Sequence, residues 1–391
     1  MMRVLFVSPV VPWPPESGGR MRTFNLLKAL GAKVELHLRA VLEPGQDERS
    51  LDPLRPYCAS AMGFERARPS PLERWRRARI ERWFHSDALQ AKLAQDLDGG
   101  HFDLVHLDEL LLARVLPDDA RAPVVVHHHK LDTVLHELLP RRAPFAKQFD
   151  VWKLHRLEGE AARRFRHHVV CSADDAAILA ERHPGLTLGV VESGFDPEYF
   201  HPSHPAPARS ENRILFVGSM SYAPNVDAIA HFVRGVLPAI LRERTDVVLD
   251  IVGADPARDV LALESPETRI QGLVADVRPF LERAAALVIP LRIGGGTRLK
   301  LVEAVAMNCP VISTPIGAQG LAFRHAEHLL LADDAEGFAR ATLDVLADPQ
   351  AAARRAERAR ALALAEYPWE KLATRLLDAW TYATTDRTPA G

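Results

Sequence analysis

Cysteine is scarce. The 391 residues include three, Cys58, Cys171 and Cys309, far apart and without the paired spacing of a metal knuckle. A disulfide framework is thereby excluded, and a reducing compartment is expected. Long apolar runs are missing too: no stretch approaches the roughly 20 residues a spanning helix needs. Val4–Val7 is too short for the core of a signal peptide, and Ser8–Pro15 carries four prolines and no small-residue cleavage pattern. A buried first strand followed by a loop is expected there instead. Charge imbalance is equally absent. With 49 Lys+Arg against 51 Asp+Glu, the formal net charge of -2 gives no general pull towards nucleic acid. The one DxD-like triplet, Asp96-Leu97-Asp98, precedes Gly99-Gly100 in a helical stretch and reads as a solvated helix end, not a metal site.

What the chain does have is alternation. Hydrophobic residues make up 47% and charged residues 26%, the balance of a globular protein, and 391 residues fit two domains. Val4–Val7, Val34–Leu38, Leu104–His106, Val124–Val126 and Val169–Cys171 read as strands, separated by amphipathic stretches such as Thr23–Leu30, Asp87–Leu97 and Asp174–Glu181. Pro202–Ser210 has the composition of a linker, so a first domain over 1–202 and a second over 203–366 are expected. The pattern restarts with strands at Ile214–Val217, Val247–Val252, Leu287–Pro290 and Val311–Thr314, and a helix over Leu299–Met307. Short strands alternating with helices predict two Rossmann-like parallel sheets. Two such units facing across a cleft would place a ligand there, beyond the carboxyl ends of the strands.

Two glycine loops stand where a strand gives way to a helix. Pro14-Pro15-Glu16-Ser17-Gly18-Gly19 follows the first strand. Gly18 and Gly19 let backbone N–H groups approach an anion, and the helix N-terminus favours negative charge. The third glycine of a dinucleotide fingerprint is lacking. The second loop runs from Leu291 through Gly294, Gly295, Gly296 and Thr297 to Arg298 and Lys300. Thr297 is the expected N-cap. Cations in a first helical turn oppose the helix dipole, so Arg298 and Lys300 suggest a bound dianion. Glu303, on an otherwise apolar helix, either pairs locally or accepts hydrogen bonds from ligand hydroxyls.

At this point a family resemblance becomes visible. Glu303-Ala304-Val305-Ala306-Met307-Asn308-Cys309-Pro310-Val311-Ile312 resembles the E-A-x-A-x-G-x-P-V-I segment of glycosyltransferase family 4, whose members have the GT-B fold. Val191–Asp196 with Phe200 and Pro202 is similar to its interdomain segment, and Leu215–Gly218 to the opening strand of its second domain. Gln271–Val277 resembles its loop beside the base, and Tyr367-Pro368-Trp369-Glu370 its closing motif. The resemblance implies that the last helix, 367–383, packs back on the first domain. It further implies an acceptor-side first domain and a donor-binding second domain. Glu303 would hold the donor's ribose hydroxyls, with Gly218 and Val274 beside the nucleoside. Gly18 and Gly19 would lie by the diphosphate, and His129 near the transferred sugar. Two departures stand out. Gly295 takes the place of a glutamate that contacts the donor sugar, and Ser219-Met220-Ser221-Tyr222 lacks the family's Arg and Lys. Arg298 and Lys300 are candidates to replace that charge.

The function implied is transfer of a sugar from a nucleoside-diphosphate sugar to a carbohydrate, lipid-linked or small-molecule acceptor. Retention of configuration is implied, with no cofactor and no metal, in a bacterial cytoplasm. The run Val126-His127-His128-His129-Lys130 could suggest a metal cluster, but neighbours on a strand point to opposite faces. The alternatives are a sugar-nucleotide epimerase or hydrolase on the same fold, or a non-catalytic nucleotide-sugar-binding subunit. The segment 66–83 holds seven arginines interleaved with Trp75, Ile80 and Trp83. It reads either as a solvated helix or as a peripheral contact with anionic lipid of the inner membrane. Arg141–Arg166 is basic as well, punctuated by Glu158 and Glu160.

Overall fold

A computed structural model describes residues 1–139 and 144–386, so Arg141 and Arg142 of the second basic stretch lie outside the described residues. The chain divides into two compact units, Met1–Glu192 together with the segment from Trp369, and Ser193–Pro368.

The first unit is built on seven parallel strands: β1 Arg3–Ser8, β2 Glu35–Val41, β3 Ser60–Phe64, β4 Leu104–Leu107, β5 Val124–His128, β6 His167–Val170 and β7 Thr187–Val190. Their order is β3-β2-β1-β4-β5-β6-β7. Order therefore reverses between β1 and β4, the kind of point at which doubly wound sheets hold ligands. Val4–Val7 and Val124–Val126 are buried because helices cover both faces of a parallel sheet. The helix Gly18–Leu30 starts directly after the β1 loop with Ser17 as its N-cap and buries Leu26, Leu27 and Leu30. The helix Trp369–Thr385 belongs to this unit, burying Leu372, Leu376 and Trp380.

The second unit has six strands: β8 Arg213–Val217, β9 Val248–Val252, β10 Thr268–Gly272, β11 Ala286–Ile289, β12 Val311–Ser313 and β13 Leu330–Leu331. Their order, β10-β9-β8-β11-β12-β13, reverses between β8 and β11. The helix Leu299–Ala306 follows β11 and is buried along Leu301–Ala306.

The segment expected to be a linker is fastened to this unit. Arg209 donates to the carbonyls of Leu281, Ala284 and Met307, and Ser210 N donates to Arg283 O. Phe195 and Phe200 sit in the core of the second unit, so the division falls at Glu192–Ser193 rather than at 202. Phe195 N also donates to Tyr367 O at 3.0 Å, pairing the two ends of this unit's chain.

Candidate functional site

In the first unit the loops after β1, β4 and β5 bring together one group of side chains. Gly18 and Gly19 open the Gly18 helix and are exposed. A side chain at Gly19 would lie 3.6 Å from His129 Nδ1, so glycine keeps that ring accessible. His129, the residue after β5, places Nε2 3.0 Å from Asp108 Oδ1, and its Nδ1 lies 3.5 Å from Glu109 Oε1. Asp108 is fully buried, and its Oδ2 accepts from Thr23 Oγ1 at 2.6 Å. Burial alone would raise the Asp108 carboxyl, but His129 and His106 hold it well below the ordinary range. Glu109 is raised, first by burial.

His106, Asp108 and His127 form a compact group of metal-ligand type. Its hydrogen bonds nevertheless assign the ring protons. Trp380 Nε1 can only donate, and it meets His106 Nδ1 at 3.1 Å. Arg22 can only donate, and it meets His127 Nε2 at 2.9 Å. The proton of each neutral ring is thus on the other nitrogen, His106 Nε2 and His127 Nδ1, which face Asp108 Oδ1 at 3.7 and 3.8 Å. Burial keeps both rings neutral by lowering their pKa values. Both nitrogens turned towards the carboxylate carry hydrogen, a donor arrangement that does not fit metal ligation. His128 is buried and lies 2.8 Å from His168 Nδ1 through its Nε2. Neither His127 nor His128 faces solvent, and His129 is the member of the trio at the strand end.

In the second unit the loops after β8 and β11 meet at the Leu299 helix. Gly218 ends β8 at φ +156°, and a side chain there would sit 2.7 Å from both Lys300 Nζ and Asn225 Nδ2. Glycine is what allows Lys300 to lie against this strand end. Lys300 Nζ donates to Asn225 Oδ1 at 2.9 Å and stands 4.4 Å above the Phe216 ring. An ammonium has three hydrogens, so two remain for a ligand. Burial and neighbouring Arg298 lower Lys300 to about 7, while Glu303 acts to raise it. Glu303 is 8% exposed and accepts no hydrogen bond from the described residues. Burial raises its carboxyl to about 7, against the pull of Lys300.

One expectation for the glycine loop needs correction. Thr297 is not the N-cap; Arg298 occupies that position without a side-chain cap. Thr297 Oγ1 instead accepts from Ser193 N at 2.7 Å, tying the loop to the start of the unit. Arg298 is 9% exposed, and its guanidinium donates to the carbonyls of Gly295, Gly296 and Ile316. Those three bonds fasten the guanidinium to the loop's own backbone, so Arg298 shapes the loop. A side chain at Gly294 would collide with this guanidinium, and Gly296 has φ +67°. Gly295, where the resemblance led to the expectation of a glutamate, offers no side chain. Val274 is half-buried against the core of this unit after β10.

Sequence reasoning did not single out Asp108, Arg22, Thr23 or Asn225. Asp108 follows β4 while Arg22 and Thr23 stand on the Gly18 helix, Thr23 85 positions away, a meeting that no local pattern announces. Asn225 had one available signal, its position at the start of the helix Ala223–His231 after the Gly218 strand.

Comparison with known proteins places these sites in context. The family model described as Glycosyl transferases group 1 matches residues 211–348. The glycogen synthase of Mycobacterium tuberculosis is 28% identical over 235 residues, 57% of this chain and 55% of the relative. The chain thus spans about half the length of that curated relative. An uncharacterised 44.6 kDa protein of the Klebsiella pneumoniae cps region is 26% identical over 136 residues, 32% of this chain and 35% of that one. Among solved structures, the sucrose-phosphate synthase of Thermosynechococcus elongatus has a TM-score of 0.75 at 19% identity, covering 97% of this chain and 98% of the other. Anabaena HepE, crystallised with UDP, has a TM-score of 0.68 at 15% identity, covering 97% and 100%. The two parallel-sheet units are those of the GT-B fold.

Proposed function

We propose that this chain transfers a sugar from a nucleoside-diphosphate sugar to an acceptor hydroxyl, on a family 4 pattern with retention and without a metal. One observation carries the reading. A glycine loop leads into a helix that bears Lys300, which among the described residues donates to Asn225 alone, and Glu303, a buried carboxyl that accepts no hydrogen bond from them. A diphosphate and a ribose diol supply the complementary groups. Breaking the sugar–phosphate bond leaves extra negative charge on the diphosphate. Lys300 and the loop N–H groups would stabilise it as it develops. Gly294, Gly295, Gly296 and Thr297 form the loop's wall, Arg298 braces it, and Gly218 and Val274 flank the nucleoside. In the first unit, Gly18 and Gly19 are proposed for the diphosphate and His129 for the transferred sugar.

The match to the group 1 model and the HepE complex with UDP support a nucleotide-sugar donor and make uridine the first base to test. A carbohydrate or lipid-linked acceptor and a cytoplasmic location belong to the same reading. Among the described residues no helix is long and apolar enough to cross a membrane. A second reading, hydrolysis of the donor, is favoured by the His129–Asp108 pair, which has the geometry of an oriented base.

The test is a thermal-shift screen with UDP, GDP, dTDP and ADP, alone and as sugar conjugates, followed by turnover with donor only. One diphosphate should stabilise the protein by about 2.7 kcal/mol at 100 times its Kd. No stabilisation by any of the four at millimolar concentration would remove the proposal. Rapid release of free sugar without acceptor would favour hydrolysis.

A further inference from the structure

Three of the chain's six tryptophans, Trp75, Trp83 and Trp152, are more than half exposed. Tryptophan usually lies at least partly covered, so three in the open on one unit call for an explanation. All three lie on two segments that the structure joins. Trp75 is on the short helix Pro71–Arg76 and Trp83 on the turn Glu81–Phe84. Trp152 is on the helix Pro144–Arg164, stacked on exposed Phe149 at 5.6 Å. Arg79 N donates to Asp150 Oδ1 at 3.2 Å and Lys153 Nζ to Arg77 O at 3.2 Å, which fixes the segments together.

Between them runs a groove of about 530 Å³ with six arginines and three carboxylates in its walls. Four of the arginines are committed. Arg77 pairs with Glu81, Arg114 with Glu81 and Glu160, Arg156 with Glu160, and Arg164 with Asp118 and backbone carbonyls. Arg76 and Arg163 are exposed and have no acidic partner among the described residues. Arg74 and Arg79, exposed on the same segment as Arg76, have none either. Two paired arginines cover the rings: Arg66, bonded to Glu43, lies 5.7 Å over Trp83 and Arg156 6.0 Å over Trp152.

A solvated helix explains arginines, but not exposed tryptophans on two separate segments beside unpaired charge. Indole rings and guanidinium groups side by side suit the boundary between lipid headgroups and acyl chains. We propose that this face of the first unit docks on an anionic phospholipid membrane. Headgroup phosphates enter the groove at Arg76 and Arg163, and Trp75, Trp83, Trp152 and Phe149 settle at the interface. This widens the sequence expectation for 66–83 to a second segment and a defined groove. It is independent of the sugar-transfer reading.

Co-sedimentation of the full chain with vesicles tests it. Binding is expected to phosphatidylcholine mixed with phosphatidylglycerol, not to phosphatidylcholine alone, with release at about 0.5 M salt. Arg76→Glu with Arg163→Glu, and separately Trp75→Ser with Trp152→Ser, should each weaken partitioning by about tenfold or more. All four positions are exposed, so melting temperature and any stabilisation by a nucleoside diphosphate should not change. Failure of the sugar-transfer reading would thus be seen separately. Equal binding to both vesicle types, no binding to the anionic ones, or wild-type binding by the charge-reversed variant would overturn the proposal. So would binding of a soluble polyanion such as heparin in place of vesicles, undiminished by the tryptophan changes.

Discussion

Lys300→Met should weaken binding of the nucleoside diphosphate by about tenfold to a hundredfold, since a hydrogen bond to a charged group is worth about 1.5–3 kcal/mol. It should also remove one limb of the pH dependence. Burial lowers Lys300 to about 7. A bound dianion would raise that value, so binding takes up a proton and affinity falls as pH rises above 7. Glu303 works in the opposite sense. Its carboxyl is raised to about 7, and hydroxyls donating to the carboxylate would lower it. Binding then releases a proton, and affinity falls as pH drops below 7. The wild type should therefore bind best near neutrality. Lys300→Met should keep only the acid limb and Glu303→Gln only the alkaline limb, measured by calorimetry from pH 5.5 to 9 and corrected for the ligand's own titration. An alkaline limb that survives in Lys300→Met would remove this lysine from the site. Methionine is an unbranched apolar chain of similar length that keeps contact with the Phe216 ring under Nζ, so packing is a lesser concern.

His129→Ala is expected to lower turnover by about a hundredfold or more, the usual cost of losing one group that acts on the transition state, and to leave diphosphate binding intact. Asp108→Asn should approach the same loss in kcat with little change in KM. The carboxylate fixes the ring through a 3.0 Å contact with Nε2, and an amide cannot balance the same proton arrangement. Asp108 thus acts as a positioning residue. A merely structural role would lower the melting temperature and leave the turnover of the surviving folded enzyme unchanged. Wild-type turnover in His129→Ala would exclude this histidine from the reaction.

The sheets were legible in the sequence from the inside outward. Nine strands stand out as apolar runs, and each corresponds to a strand of the structure. The four without such a run, β3, β7, β10 and β13, are the four sheet edges. Edge strands are half-covered: β7 is partly exposed throughout, and β10 alternates as Thr268-Arg269-Ile270-Gln271. Only a strand buried on both faces must be apolar at every position.

The candidate site divides along a similar line. Lys300 and Glu303 share one helix after a glycine loop, and that spacing is visible in the chain. Asn225, which orients Lys300, comes from another element 75 positions away. The Asp108 cluster draws on the Gly18 helix, β4, β5 and the Trp369 helix, so only the folded chain reveals it. The N-cap role expected of Thr297 failed for a local reason. A threonine before a helix is an N-cap only if its hydroxyl reaches the helix N–H groups, and here it reaches Ser193.

The central claim is that Glu303 reads the ribose of a nucleotide while Lys300 holds its phosphates. Titration calorimetry of the wild type and Glu303→Ala, with the stabilising nucleoside diphosphate and with inorganic pyrophosphate, addresses it most directly. The account predicts that Glu303→Ala loses about tenfold or more in nucleotide affinity, the worth of hydrogen bonds to a charged group, and binds pyrophosphate as the wild type does. Equal nucleotide affinity in the two proteins would contradict it.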